Sequence, residues 1–436
     1  DIDFGNGSIG IYGVNNYGTK VASTYDKINI TMNSGTITAT GATEGYGIYA
    51  NNTKGSGYST VKFNSGLIDM SGISATDRDK AVAVTVRDTT LNSSGDINTA
   101  ENGIAFYIEK GVTSITNGTI NLDKDNSIGL ALQDVQGSNF TGTGATFNID
   151  GDGIILFHLK NSTGITDNFT TNIVSGSNYR YADMQDSSFI FNKSISIEDN
   201  INFIVAQNSA VLLDSSSDIN STGTGNIGVY AKNAATSLVL SSISVANEVT
   251  NKGKINLGDS STGIYADSNV RVLNDSGAII AVGDNSQGIY AKNSGSILNK
   301  GNISIGDTSI GLYLNKAVSA ENAGTINSTS DNAVGVYMNN QATFVNSGLI
   351  DLSGIDSIGI YDTGTGSRVI TNNGEIKVGD ALSIENPSVG IYSVDSGLTI
   401  NQSAGGIMSS GMNSMGIYGK NTVMNIDGTM NVGASG

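Results

Sequence analysis

Short alternations of polar and apolar side chains recur along this chain, many of them opened by a glycine. Gly253-Lys254-Ile255-Asn256-Leu257, Gly301-Asn302-Ile303-Ser304-Ile305, Gly348-Leu349-Ile350-Asp351-Leu352 and Gly374-Glu375-Ile376-Lys377-Val378 place apolar residues at the second and fourth positions after the glycine. A period of two is that of a strand with one face buried. A second alternation runs into asparagine, as in Ala342-Thr343-Phe344-Val345-Asn346 and Ser367-Arg368-Val369-Ile370-Thr371-Asn372. A third carries a phrase of glycine, aliphatic residue and tyrosine. Gly263-Ile264-Tyr265 returns as Gly288-Ile289-Tyr290, Gly311-Leu312-Tyr313, Gly335-Val336-Tyr337 and Gly359-Ile360-Tyr361.

The steps between those five glycines are 25, 23, 24 and 24 residues. A fixed period of this size is the signature of a solenoid, in which each repeat buries its apolar face only by stacking on its neighbours. Three strands in about 24 residues, with no helical periodicity, predict an all-β fold: a right-handed parallel β-helix of three sides. About 18 coils spaced by ~4.8 Å would make a rod on the order of 85 Å long. A β-sandwich would show hairpin turns and varied strand spacing instead.

Parity assigns the faces. The residue after each repeat glycine is Ile, Leu or Val, and two positions on stand Ala231, Ala266, Ala291, Leu314 and Met338. These predict the core face. The tyrosines have the opposite parity and are expected to point outward and stack into a column: Tyr230, Tyr265, Tyr290, Tyr313, Tyr337, Tyr361, Tyr392 and Tyr418. The glycines are expected on the same outer face. Asn251, Asn299, Asn322, Asn346 and Asn372 each precede a repeat glycine by two residues. Stacked coils would align them into an amide ladder along the axis.

The phrase falls silent between Gly153 and Gly228. This divides the chain into β-helix coils at 1–153, irregular aromatic-rich coils or an outgrowth at 154–227, and regular coils at 228–436. Recognition tends to sit where a scaffold departs from regularity. Phe157, His158, Tyr179, Arg180, Tyr181, Phe189 and Phe191 are therefore the candidate ligand contacts. Ser71 to Asp88 also departs from the pattern, with Thr76-Asp77-Arg78-Asp79-Lys80 as a charged loop.

Composition narrows the chemistry. With 39 acidic against 22 basic residues the formal charge is −17, and no basic run is present. Such a chain repels nucleic acid and anionic lipid. There is no cysteine and a single histidine, so thiol chemistry and a typical zinc site are excluded. Gly5-Asn6-Gly7-Ser8-Ile9-Gly10 fits the dinucleotide pattern by letter but merges into the repeat, and no cofactor is expected. Asp259, Asp284, Asp307 and Asp331 each stand four residues before a repeat glycine. They read as turn residues satisfying backbone N–H groups. A carboxylate column could alternatively bind calcium or serve a glycosidase. No stretch approaches the ~20 apolar residues of a helical membrane span.

Asn-x-Gly-x-Ile followed by Asp-x-Ser-x-Gly-Ile-Tyr resembles the passenger regions of bacterial type V autotransporters. More narrowly, it is similar to the large fusobacterial outer-membrane adhesins (RadD-like). The resemblance implies a non-enzymatic adhesin displayed at the cell surface and linked to virulence and coaggregation. It would act as a monomeric rod, anchored in the outer membrane only through a C-terminal barrel outside this chain. The implied partners are a host cell-surface protein or glycan receptor, or the surface of partner bacteria. The chain begins almost inside a repeat and stops just after one, so it reads as a segment of a longer protein. A polysaccharide-active β-helix enzyme and a purely structural stalk are the alternatives.

Overall fold

The computed structural model describes residues 1–15, 28–52, 59–77, 80–233 and 248–433. Arg78 and Asp79 of the expected charged loop lie outside the described residues. Among them the fold is all-β, with one single-turn 3-10 helix at Gly137–Asn139. Neighbours within a sheet are parallel and lie three strands apart in sequence. This is a three-sided parallel β-helix, as the repeat predicts. The chain forms two compact units, Asp1–Ile190 with Phe203–Ala206, and Phe191–Asn202 with Gln207–Gly436.

In the second unit the alternation after the glycine becomes a file of aligned side chains. Ile255, Ile280, Ile303, Ile326, Ile350 and Ile376 pair in register, coil upon coil, and Met408 continues the file. All seven are 0% exposed. Facing them, Ile264, Ile289, Leu312, Val336 and Ile360 are equally buried. Each such side chain contributes about 1.5–3 kcal/mol relative to an exposed one, and the file repeats the contribution at every coil.

The repeat glycines are not on the outer face. Gly263, Gly288, Gly311 and Gly335 are buried. The ladder registers Ile310 with Val334 and Leu312 with Val336 but skips the glycines between them. The strand bends there, and both the glycine and the next residue turn inward. A Cβ on Gly311 would lie 2.6 Å from the Gly335 carbonyl oxygen and 2.6 Å from Ile326 Cγ2. Only glycine leaves room for the isoleucine file.

Buried polar groups are satisfied along the axis. Asn251 donates to Asn274, Asn274 to Asn299, Asn299 to Asn322, Asn322 to Asn346, and Asn346 to Asn372, at 2.7–2.9 Å. Asn372 donates to Gln402 at 2.9 Å, so an amide of another length closes the file. Ser261 and Ser286 donate their backbone N–H groups to the hydroxyls of Ser286 and Ser309, at 3.0 and 2.9 Å. Such ladders fix register, because a slip of one residue would strand every group in the file.

Residues 154–190, in the first unit, are coils of the helix. Ile155–Lys160 pairs in parallel with Ile128–Gln133 on one side and Arg180–Gln185 on the other. In this register Leu156 stands opposite Gly129, and Tyr181 opposite Leu156. Bulky side chains have taken the glycine slot, and the shared burial pattern of Asn202–Gln207 puts Phe203 there too. The strand Thr170–Ser175 contributes no fully buried side chain. The larger residues fill the space it leaves, and the Tyr181 hydroxyl lies 3.0 Å from that of Thr171.

Candidate functional site

Burial overturns most of the candidate ligand contacts. Phe157, Tyr179, Tyr181, Phe189 and Phe191 are at most 1% exposed. Phe157 packs on Phe189 with ring centroids 5.0 Å apart, and Tyr181 on Phe203 at 4.8 Å. They are core residues: Tyr181 takes the glycine slot, Phe157 the inward slot of Leu130, and Phe189 pairs with Ile165 in the neighbouring coil. The Tyr181 hydroxyl donates to the Asp167 carboxylate inside this core. Burial first, and then the Asp167 charge, push the Tyr181 phenol well above the ordinary tyrosine value. His158 and Arg180 take outward positions. His158 lies beside Asp183 in register, and Arg180 forms an ion pair with Asp183. The structure therefore does not assemble the seven residues into one ligand surface.

The tyrosine column stands on the outer face. In the second unit Tyr230, Tyr265, Tyr290, Tyr313 and Tyr337 stack with centroids 4.5–5.0 Å apart and planes within 20° of parallel. Tyr12 and Tyr49 stack likewise in the first unit, at 5.5 Å. Stacking covers ring faces, so the regular file presents edges and hydroxyls to solvent. It also half-buries the phenols. Tyr265 is pushed up to about 12, by burial first and then by Tyr290, Asp267 and Tyr230. Tyr290 and Tyr361 are raised for the same leading reason. The stack breaks at Tyr361, whose ring is turned 70° from Tyr337 and 49° from Tyr392. Tyr392 and Tyr418 stack again at 5.0 Å and 15°.

The recurring aspartates are engaged with the next coil. Asp259 accepts the Asp284 backbone N–H at 2.8 Å, Asp284 that of Asp307 at 2.7 Å, and Asp331 that of Ile355 at 3.0 Å. Asp307 accepts the Asn332 side chain at 3.2 Å. Each carboxylate supports a turn. Among the described residues no group of three or more His, Asp or Glu is placed to hold a metal ion.

Two features near the break in the stack were missed in sequence. Asp362 stands in the inward slot that Met338 fills one coil earlier. Its carboxylate accepts Arg368 Nε and Nη2, each at 3.0 Å in the shorter contact, and the Ser393 hydroxyl at 2.9 Å. Arg368 Nη1 donates to Gly366 and Ser396 carbonyls at 2.8 and 3.2 Å. Both charges are nearly solvent-free, at 1% and 0% exposure, and the network leaves neither without partners.

The second feature is a loop at 380–388 that overhangs the outer face. It bounds a groove of about 540 Å³ whose floor and walls include Asp356, Ile358, Val389, Tyr392, Met415 and Tyr418. The loop base is fixed: Ala381 N–H donates to Met412 O at 2.9 Å, and Met412 N–H to Asp380 Oδ1 at 2.8 Å. The signal was in the spacing. Gly359 to Gly390 is longer than the regular step, and the loop holds the chain's single proline, Pro387.

No curated protein and no solved structure matches the chain. A family model described as the BigA third pectate lyase-like domain matches residues 87–348, more than half of the chain. This is a domain of a bacterial surface protein, and its β-helical character agrees with the coils above. The chain belongs to the family of the BigA third pectate lyase-like domain.

Proposed function

We propose that this domain is an adhesive passenger segment that attaches to host cells or partner bacteria by display rather than by catalysis. The observation that carries the reading is the outward tyrosine file. It repeats one hydroxyl-bearing edge at 4.5–5.0 Å from Tyr230 to Tyr337. A regular array of donors and acceptors on a rigid face suits contact with an extended protein or glycan surface. The aspartate files, the best site for a polysaccharide-active enzyme, are occupied in turn hydrogen bonds, which favours attachment over turnover. Type V secretion, outer-membrane anchoring and a role in coaggregation belong to the same proposal.

The test is attachment of the labelled chain to epithelial cells and to mixed bacterial suspensions, read by flow cytometry. Wild type should bind saturably, and replacing Tyr265, Tyr290 and Tyr313 together by serine should abolish binding with the fold retained. Absence of saturable binding would favour the structural stalk. Release of new reducing ends or unsaturated sugars from a polysaccharide panel would favour the enzyme.

A further inference from the structure

The groove under the 380–388 loop carries an inference of its own. Among the described residues, its titratable lining groups other than the tyrosines are Asp356 and Glu385, and no lysine or arginine lines it. The whole chain adds a formal charge of −17. Asp356 sits at a positive φ of 55°, with Oδ1 shielded from solvent and without a hydrogen-bond partner among the described residues. A carboxylate with one oxygen unpartnered favours a cationic donor nearby. The loop above it exposes aliphatic surface: Leu382 is 76% exposed and Ile384 70%. Single exposed apolar residues are ordinary, but Ile384 also lines the groove, together with Met415.

Ring geometry then separates two occupants. Sugars dock on aromatic faces, yet Tyr392 and Tyr418 stack on each other, and the faces between them are closed. Beside the outer face of Tyr418, which is 43% exposed, the groove offers hydroxyl oxygen, carboxylate and aliphatic wall. A lysine or arginine side chain fits that set, with its alkyl stem on Ile384 and Met415 and its charge toward Glu385 and Asp356. We propose that this groove captures a lysine or arginine of an extended basic segment in a partner protein. The proposal rests on the surface-attachment reading and names the chemistry of one contact within it.

The experiment uses the full chain and a fluorescent decapeptide of alternating lysine and serine, with its acetyl-lysine and glutamate counterparts. Anisotropy should show binding of the lysine peptide only, weakened by added salt. Glu385→Gln and Ile384→Ser, both in the exposed loop, should each weaken it about fivefold or more at unchanged melting temperature. Asp123→Asn, which removes the same charge from an exposed position far along the sequence, should leave it unchanged. Equal weakening by Asp123→Asn, equal binding of the acetylated peptide, or binding of a neutral hexasaccharide in place of the lysine peptide would each overturn the proposal. Failure to attach to cells alongside intact peptide binding would sink the attachment reading and leave the groove standing.

Discussion

Replacing Asn322 by alanine probes the amide ladder where it is most regular. Asn322 is 0% exposed. It accepts from Asn299 Nδ2 at 2.7 Å and donates to Asn346 Oδ1 at 2.8 Å. Alanine strands one N–H on Asn299 and one acceptor on Asn346, both in amides that are themselves buried. A buried group left without a partner costs about 1–3 kcal/mol, so two give about 2–6 kcal/mol. The weaker contact from Nδ2 to the Leu349 carbonyl, at 3.2 Å, is lost as well.

In a solenoid each coil is coupled to its neighbours, so the loss should be local before it is global. Amide hydrogen exchange is therefore the right assay, ahead of a single melting temperature. Protection should fall across 296–352 and hold at 248–257. A double replacement of Asn299 and Asn322 should cost less than the sum of the two singles by about 0.5 kcal/mol or more, since it removes the stranded N–H as well. Strict additivity, or an Asn322→Ala variant with unchanged protection, would refute the claim that the ladder is an energetic unit.

Three further outcomes follow from the same geometry. Gly311→Ala should destabilise by about 1–3 kcal/mol in denaturant melts, because the new methyl group meets a backbone carbonyl that cannot move aside. Gly405→Ala, with only Asn373 O in reach at 3.8 Å, should stay within about 0.5 kcal/mol. The raised phenols predict alkaline sensitivity. Tyr265 ionises at about 12 in the fold and at about 10 when unfolded. The folded state holds the proton more tightly, so its contribution is whole below pH ~10 and is lost as pH rises toward ~12. Melting temperature should fall across that window, and Tyr265→Phe should flatten the fall. Asp362→Ala should cost about 3–5 kcal/mol by leaving Arg368 buried and unpaired. Combining it with Arg368→Met should recover part of the loss in the same melts.

What the sequence made legible, and what it did not, follows from how often each feature repeats. The isoleucine file and the outward tyrosines are read several times over, at Ile303, Ile326 and Ile350 or at Tyr265, Tyr290 and Tyr313, and each coil checks the last. The asparagine ladder was legible for the same reason, although Asn274 escaped because its glycine, Gly277, follows by three residues instead of two. Parity failed at the repeat glycines. Counting by twos assumes a straight strand, and the strand bends at the one residue that has no side chain to report its direction. A different assumption misplaces the rings between 154 and 203: that the silence of the phrase marks a departure from the scaffold. Phe157, Tyr179, Tyr181, Phe189 and Phe191 read as ligand contacts in a broken repeat; aligned on strand length, Leu156, Tyr181 and Phe203 are the glycine slot filled by larger residues. An aromatic that replaces a glycine facing the core has nowhere to go but the core. The 380–388 loop and the Asp362–Arg368 pair each occur once, so no neighbouring coil interprets them. A groove that binds a partner is subject to the same limit. Its residues need not recur, and only the lengthened step from Gly359 to Gly390 and the single proline within it, Pro387, mark its place in the sequence.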